Sequence, residues 1–349
     1  MSTWGLLADL PVSIDGYELE GLREQVSSDF ERSSTQVRLY GGGASGVGED
    51  VTYDTEDHVA LQRAGARESL SGERTLSDFC ELIDTLDLFP QAPVREVSRL
   101  YRRWAFHAAA LDLALVQAGR SLHAVLSREP RAVTFVVSLR LGEPATSEPL
   151  RRRLDRYPGL RFKLDPTASW DDALIEELAG TGAVDSVDFK GMYEGTVVDN
   201  PADPDLYARV ARAFPGAWIE DPKLTPETNA VLARDHGRIT WDAPIHGISD
   251  IEALRSAPRM VNVKPSRLGG LRSLLDTYDY CAERGIGNYG GGQFELGVGR
   301  EQIQYLASVF HPDTPNDIAP TGYNVPDPPP GLPLSPLEPA PSRVGFRWG

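Results

Sequence analysis

The sequence has few cysteines, no long uninterrupted apolar run and a shortage of positive charge. Cys80 and Cys281 form neither a CxxC pair nor a metal-ligand spacing, so a disulfide framework and a structural zinc site are not predicted. The most apolar stretch, residues 104–119, contains His107 and Asp112, and the N-terminus has no basic region before an apolar run. Neither a membrane span nor a signal peptide is therefore predicted, and we expect a cytoplasmic protein.

The charge balance limits the partners that the surface can attract. The 349 residues include 35 basic and 51 acidic side chains, for a net charge of −16. A surface of this sign repels nucleic acid and anionic membranes. Hydrophobic residues make up 41% and charged residues 25% of the chain, which are ordinary values for a folded globular protein. We therefore expect neither a nucleic-acid partner nor a membrane partner.

The first 125 residues carry the signals of an α+β unit. Strand-like runs at residues 16–25 and 34–40 precede a turn-rich segment at 41–49, which predicts a small antiparallel sheet. Farther on, the stretch RRWAFHAAALDLALVQAG has helical spacing and ends at Gly119. These signals predict an α+β domain over residues 1–125.

After residue 125, strand-like runs recur, each followed by a polar stretch of helix length. The runs are TFVVSLR, LRFKLD, VDSVDFK, AWIEDP, RITWDAP and MVNVKPS. This alternation predicts parallel β/α units that close into a barrel over residues 126–325. The remaining residues, 326–349, are rich in proline, which favours an extended strap packed back on the first domain.

Charged side chains stand at the C-terminal ends of these runs, about one for each β/α repeat. They are Lys163, Asp188, Glu220, Asp242 and Lys264. Such positions converge on one mouth of a parallel barrel, where barrel enzymes place their chemistry. The three carboxylates are hard oxygen ligands suited to Mg²⁺. The second and sixth strands lie on opposite sides of the ring, so the two lysines would flank a bound substrate.

This arrangement suits removal of the proton α to a carboxylate. That proton is weakly acidic because its loss adds a second negative charge to an anion, and a divalent ion on the carboxylate offsets this charge. A lysine becomes a base when a neighbouring cation and burial lower its pKa. Taken singly, each residue could instead be a solvated or structural charge, and a barrel lysine could form a Schiff base with a carbonyl substrate.

Several motifs occur in the order found in a known family. VNVKPSRLGGL carries a KxxxxGG pattern that begins at Lys264, AWIEDP contains Glu220, and YGGGQFELGVGR is a glycine-rich segment with Glu295. Upstream, STQVRLYGGGASGVGED looks like a cap strand followed by a GxGE turn. Together these motifs resemble the enolase superfamily, which includes the mandelate racemases and the muconate lactonizing enzymes. The resemblance is closest to the muconate-lactonizing subgroup.

The resemblance implies a fold, a cofactor and a set of roles. The fold is a (β/α)7β TIM-like barrel with an α+β N-terminal capping domain, and the cofactor is Mg²⁺, with Mn²⁺ as a possible replacement. The implied metal ligands are Asp188, Glu220 and Asp242, and the implied acid/base pair is Lys163 and Lys264. Arg161, Lys190 and Glu295 would then contact the substrate.

Three positions depart from the family pattern. The second-strand KxK reads Arg161-Phe162-Lys163, which gives Lys163 the catalytic role and Arg161 an electrostatic one. A register shifted by two residues would instead put Asp165 at the base position and leave Lys264 working alone. The third-strand DxN ends in Lys190, and the fifth-strand Asp-Glu ends in Ala243.

Asp221, which follows Glu220 in AWIEDP, is expected to point away from the site. Adjacent residues of a strand face opposite sides of the sheet, so an inward Glu220 implies an outward Asp221. We therefore leave Asp221 out of the predicted metal site.

The resemblance leaves several reactions open for a small carboxylate substrate. It implies racemisation, cycloisomerisation or syn elimination of the o-succinylbenzoate-synthase or acylamino-acid-racemase type. The alternatives are an acid-sugar dehydratase of the same superfamily and, from another class, a catalytically silent barrel that binds a metal or a ligand. We expect a homo-oligomer, and we expect the cap loops at residues 27–31 and 52–56 to select the substrate.

Overall fold

The computed structural model describes residues 2–27, 30–193 and 199–349, which form a cap and a barrel. Ser28 and Asp29, in the first of the two cap loops predicted to select the substrate, lie outside the described residues. The cap contains a three-stranded antiparallel sheet and a separate antiparallel pair. The sheet consists of β2 (Gly16–Ser27), β3 (Phe30–Gly41) and β4 (Ala44–Asp50), and the pair of β1 (Pro11–Ile14) and β5 (Gly72–Thr75).

Helices cover this sheet, and the longest is packed directly on it. They are α1 (Thr55–Ala64), α2 (Leu76–Thr85), α3 (Ser98–Gln117) and α4 (Leu122–Leu126). A side chain on Gly46 or Gly48 of β4 would lie within 2.2 Å of Leu113 N or 2.1 Å of Ala105 O in α3. These glycines therefore let the alanine-rich helix approach the sheet at backbone distance. The predicted α+β cap is confirmed.

Seven parallel strands form the barrel, and each predicted run coincides with one of them. They are β6 (Val137–Leu139), β7 (Phe162–Leu164), β8 (Val184–Asp188), β9 (Trp218–Glu220), β10 (Ile239–Thr240), β11 (Met260–Val263) and β12 (Gly287–Gly290). Hydrogen bonds join β6 to β10 in sequence order and β11 to β12. The strands are short and nearly all buried, as expected for a parallel sheet covered on both faces.

Isolated bridges close the ring. Trp241 pairs with Val261, which joins β10 to β11, and Gly291 pairs with Asp317 after β12. Asn316 in turn pairs with Phe135, just before β6. Residues 316–317 thus occupy the eighth strand position, and the predicted (β/α)7β barrel is confirmed.

Helices alternate with the strands around the outside of the barrel. They are α5 (Glu148–Arg156), α6 (Asp172–Gly180), α7 (Pro204–Ala213), α8 (Pro226–Val231), α9 (Ile248–Ala253), α10 (Pro265–Leu268), α11 (Leu271–Arg284) and α12 (Val298–Phe310). Side-chain caps begin several of them: the carboxylates of Asp171 and Asp203 accept hydrogen bonds from the first turns of α6 and α7. Loops lie between the strand ends and most of these helices, and the longest of them runs from the end of β8 to the start of α7.

The C-terminal segment returns to the cap. The backbone N–H of Phe346 and the guanidinium of Arg347 donate to the carboxylate of Asp112 in α3, at 2.8 and 3.0 Å. Asp112 also accepts a 3.0 Å hydrogen bond from Val47 N in β4, so one buried carboxylate joins the helix, the sheet and the strap. The domain limits at residues 125 and 325 stay predictions.

Candidate active site at the barrel mouth

A cluster of buried carboxylates lies at the C-terminal ends of β8 and β9. Asp188, Glu220 and Asp221 are each 0% exposed, and one oxygen atom of each lies within 4.8 Å of the others. Burial of like charges at this distance is unfavourable without a cation. Three hard oxygen donors that converge in this way fit a divalent ion such as Mg²⁺.

Asp221 corrects one prediction from the sequence. It was expected to point away, but its two carboxylate oxygens accept 2.8 Å hydrogen bonds from the backbone N–H groups of Asp242 and Ala243. The backbone of Asp221 is left-handed, with φ 46°, so the alternation of an extended strand ends at Glu220. Both consecutive carboxylates can therefore face the cluster.

Asp242 lies beside this cluster and is held by cations and a hydroxyl group. Its Oδ2 accepts from the Lys264 amine at 2.7 Å and from the Tyr193 hydroxyl at 3.0 Å. Its Oδ1 accepts from the Arg267 guanidinium at 2.8 Å. The predicted neighbours Asp242 and Lys264 are thus in direct contact.

Lys163 lies inside the barrel, surrounded by carboxylates. Its amine donates to Glu220 and lies 3.0 Å from Asp188 and 3.4 Å from Asp317. The Tyr289 hydroxyl donates to the other oxygen of Glu220 at 2.7 Å. The side chain of Lys163 is 2% exposed, so its amine is enclosed by these acidic groups.

Lys190 follows β8 and contacts the same cluster. Its amine contacts Asp188 and lies 4.0 Å from Asp165. It also lies 5.2 Å from the centre of the Tyr193 ring, within cation–π distance. The predicted residues Lys163, Asp188 and Lys190 are therefore brought together.

Arg161 and Glu295 make other contacts. The guanidinium of Arg161 pairs with Asp185 at the N-terminal end of β8, with Nε 3.0 Å from Oδ2, and also donates to the carbonyl of Gly182. The structure does not bring Arg161 to the carboxylate cluster. Glu295 is 5% exposed, and its carboxylate pairs with Arg300 of α12 at 3.0 Å. Their contact with substrate stays a prediction.

The electrostatics of the cluster show how its charges are balanced. Burial, together with the nearby charges of Asp242 and Asp188, raises the pKa of Asp221 to about 7. Burial also raises the pKa of Glu220, although Lys163 opposes this effect. For Asp242, burial is outweighed by Arg267 and Lys264, which hold its pKa well below the usual range.

The lysines of the cluster respond to the same carboxylates. Burial favours a neutral amine, but Asp188 and Glu220 outweigh it and raise the pKa of Lys163 well above its ordinary value. Asp165 and Asp188 do the same for Lys190. The carboxylates around each amine therefore favour its charged form.

The sequence reasoning missed several residues of the site. They are Asp221, Arg267, Tyr193, Tyr289 and Asp317. Arg267 could have been found, because it lies inside the KPSRLGG segment three residues after Lys264, one helical turn away in α10. Asp221 stood next to Glu220 in AWIEDP but was excluded by the strand alternation, and no comparable signal marked Tyr193, Tyr289 or Asp317.

Gly291 makes room for Lys264. A side chain at Gly291 would place its Cβ 2.4 Å from Lys264 Cε and 2.7 Å from Asn262 Nδ2. The absence of a side chain at Gly291 therefore leaves space for the Lys264 side chain.

Solved structures with the same architecture show the fold of the chain. The dipeptide epimerase of Methylococcus capsulatus, solved with Mg ion, has 19% sequence identity and a TM-score of 0.67 over 96% of this chain and 99% of that one. A muconate lactonizing enzyme has 16% identity and a TM-score of 0.61 over 88% of both chains. These structures establish the fold of the enolase superfamily, and the resemblance found in the sequence is confirmed.

The chain belongs to the family described as Domain of unknown function (DUF8230), whose C-terminal domain matches residues 129–325 and whose N-terminal domain matches residues 5–125. An N-succinylamino acid racemase of Thermus thermophilus is 26% identical over 83% of this chain and 79% of its own length. An o-succinylbenzoate synthase of Geobacillus stearothermophilus is 35% identical over 63% of this chain and 59% of its own length. The chain is thus an enzyme of the isomerase or lyase type.

Among residues 2–27, 30–193 and 199–349, no helix is both long enough and apolar enough to cross a bilayer.

Proposed function

We propose that the protein removes the proton α to the carboxylate of a small acid, with Lys264 as the group that takes the proton. The observation that carries the proposal is the contact between Lys264 and Asp242, at 2.7 Å, beside the buried cluster of Asp188, Glu220 and Asp221. A proton acceptor next to a cation site is the combination that enediolate formation requires.

Asp188 and Glu220 would hold the divalent ion, with Asp242 as the predicted third ligand and Asp221 as a further candidate. When bound, the ion stabilises the negative charge that develops on the substrate carboxylate. Mg²⁺ is the ion proposed, and Mn²⁺ accepts the same oxygen ligands. The negative charge and the burial of these four carboxylates support the proposal that a divalent cation binds here.

The chain's own residues position the reaction. Asp242 and Gly291 fix the amine of Lys264, the first by a hydrogen bond and the second by leaving space for the side chain. Arg267 holds the opposite oxygen of Asp242, so the carboxylate cannot rotate without losing that bond. Fixing the proton acceptor in this way supplies the proximity on which the rate of proton transfer depends.

The names of the relatives favour an N-acylated amino acid or a related acid as substrate, with racemisation, cycloisomerisation or syn elimination as the outcome. An acid-sugar dehydratase would use the same first step and then lose a hydroxyl group. A catalytically silent barrel would bind a metal or an acid without exchanging the α proton. The departures from the family pattern at Lys190 and Ala243 are consistent with such a barrel. A homo-oligomer and a cytoplasmic location remain predictions.

Deuterium exchange tests the proposal. The protein is incubated in D₂O with MgCl₂ and N-succinylamino acids or acid sugars, and deuterium at the α carbon is measured by mass spectrometry. We expect exchange in the wild type, a loss of at least about 100-fold in Lys264→Ala, and no exchange after treatment with EDTA. Formation of a keto acid would favour the dehydratase. If the protein bound these acids but exchanged the α proton of none of them, the proposed reaction would be contradicted.

A further inference from the structure

A cavity of about 290 Å³ lies between the cap, helix α12 and the C-terminal segment. Its walls come from β3 and β4 of the cap sheet, from the first turns of α12 and from residues 342–348. Cavities that hold small ligands in proteins begin at about 300 Å³. Among the described residues that line it, none belongs to the carboxylate cluster or to the lysines of the barrel mouth. The cavity is therefore distinct from the candidate active site.

The alternation of β3 turns Arg38 toward this cavity. Its neighbours Val37 and Leu39 are buried in the hydrophobic core, so Arg38 faces the opposite side of the sheet. Val47 of β4 is its partner in the register, and cross-strand partners present their side chains on the same face. The carbonyl of Val47 accepts a 2.7 Å hydrogen bond from the amide of Gln302 in α12, which fixes the cap wall of the cavity against the helix.

Arg38 carries a positive charge that nothing in the described part of the chain balances by contact. Its side chain is partly buried, and within those residues it forms no hydrogen bond and no ion pair. Glu18 stands opposite it on β2, but this side chain is exposed and does not pair with the guanidinium. The second guanidinium of the cavity, that of Arg347, is already paired with the carboxylate of Asp112 at 3.0 Å. Of the two arginines, Arg38 is therefore the one left for a ligand.

Glu301 brings a negative charge to the same cavity. It lies in the first turn of α12 and lines the cavity. Among the residues that the structure describes, it too forms no hydrogen bond and no ion pair. Burial and the nearby charge of Glu49 raise the pKa of Glu301, whereas a cation beside the carboxylate would lower it. The carboxylate is therefore without a counter-ion in this part of the chain.

The C-terminal segment adds an aromatic wall. Phe346 and Trp348 line the cavity, and both rings pack on Tyr305 of α12, with ring centroids 5.9 and 5.8 Å apart. This packing holds the wall in place, and aromatic rings offer a large apolar surface to a ligand. The cavity thus combines a cation and an anion that are both free to pair with an apolar surface.

We propose that this cavity binds a free α-amino acid with an apolar side chain. The carboxylate of the ligand pairs with the guanidinium of Arg38, its ammonium group pairs with the carboxylate of Glu301, and its side chain packs on Phe346 and Trp348. Such a zwitterion has no net charge, so the net charge of −16 of the chain does not repel it. The site lies outside the proposed reaction centre, and its occupation does not depend on the proposed function.

Calorimetry with L-phenylalanine and L-leucine tests the site. The protein is first treated with EDTA, so that no carboxylate binds through a metal ion at the barrel mouth. We expect at least one of the two amino acids to bind with a Kd of about 1 mM or tighter. N-acetyl-L-phenylalanine lacks the ammonium group and phenethylamine lacks the carboxylate, so each should bind at least about 10-fold more weakly than L-phenylalanine. Absence of binding by both amino acids at about 10 mM, or equally tight binding of either analogue, overturns the proposal.

Variants of the two charged residues locate the binding. Arg38→Met and Glu301→Gln should each weaken binding of the amino acid at least about 10-fold. Arg272→Met and Glu283→Gln are the matched controls, because both residues are exposed on α11, and they should bind as the wild type does. Thermal melting shows which variants fold, and Glu301→Gln, which keeps the shape of its side chain, decides the question if Arg38→Met does not. Unchanged affinity in the folded variants, or a loss found in Lys264→Ala instead, would place the amino acid elsewhere and overturn the site.

Discussion

The guanidinium of Arg32, on β3 of the cap, donates a 3.0 Å hydrogen bond to the carbonyl oxygen of Gln293, in the segment that follows β12 of the barrel. Arg32 is 0% exposed, and it also donates to the carbonyls of Phe294, Thr52 and Val51. One buried cation therefore ties the cap sheet and a predicted cap loop to the rim of the barrel mouth.

Arg32→Met is expected to loosen the cap from the barrel. The substitution leaves four carbonyl groups without their donor, so we expect the free energy of unfolding to fall by about 3 kcal/mol. Urea denaturation measures the change. Arg23→Met is the matched control, because the Arg23 side chain is 53% exposed and pairs with Glu31 at 3.8 Å. Equal losses in the two variants would contradict the role given to Arg32.

Magnesium is expected to stabilise the folded protein through the carboxylate cluster. An ion that binds only the folded state adds about 2.7 kcal/mol at a concentration of 100 times its Kd, so the melting temperature should rise with MgCl₂ in the wild type. Glu220→Gln should reduce or abolish this rise. Asp185→Asn is the control, since Asp185 pairs with Arg161 away from the cluster. A rise that persists in Glu220→Gln would place the ion elsewhere.

Gly291→Ala is expected to impair catalysis more than stability. The added Cβ would approach Lys264 Cε at 2.4 Å, and the flexible lysine can move aside, so we expect a loss of no more than about 1 kcal/mol in unfolding free energy. Displacement of the amine by about 1 Å should lower α-deuterium exchange on the order of 100-fold. Gly216→Ala meets nothing within 4 Å and should leave both quantities unchanged. Normal exchange in Gly291→Ala would argue against Lys264 as the proton acceptor.

His311 is expected to make stability depend on pH. Its Nδ1 is 2.7 Å from Asn316 Oδ1 and its Nε2 3.1 Å from the Tyr278 hydroxyl, and burial lowers its pKa from 6.5 to about 4. Between these two values the unfolded chain binds a proton that the folded protein does not. The contribution of His311 to stability is therefore present above pH 6.5 and is lost as pH falls toward 4, by up to about 3 kcal/mol.

The comparison of His311→Gln with the wild type isolates this contribution. Unfolding free energies are measured by urea denaturation from pH 4 to 7. The variant has no imidazole to titrate, so its stability should fall less steeply between pH 6.5 and 4 than that of the wild type. Parallel curves for the two proteins would show that His311 is not held neutral in the folded state.

The barrel could be predicted because its signals are local and repeated. Each strand from β6 to β11 coincides with an apolar run, since strands covered on both faces must be apolar throughout. The charged residues at their ends, such as Glu220 and Lys264, were visible because they interrupt those runs at the same point in each repeat. The alternation of strand and helix then left few folds to consider.

The details of the site could not be predicted in this way. Asp221 was assigned to the outside by the alternation of a strand, but its left-handed backbone ends that alternation. The residues that neighbour Lys163 across the sheet depend on how β7 pairs with β8, where the register shifts between Phe162 and Lys163. A shift of this kind leaves no mark in the hydrophobic pattern, because it changes the neighbour of a residue and not its burial.

The sequence by itself determined the capped barrel, the carboxylates Asp188, Glu220 and Asp242, and the place of Lys264 among them. These follow from periodic burial and from the convergence of parallel strand ends, and both are properties of residue order. Only the tertiary structure decided that Asp221 turns toward the carboxylate cluster, because that depends on its left-handed backbone, with φ 46°. The residue at which an extended strand ends is a property of the folded backbone, and the order of residues alone does not show it.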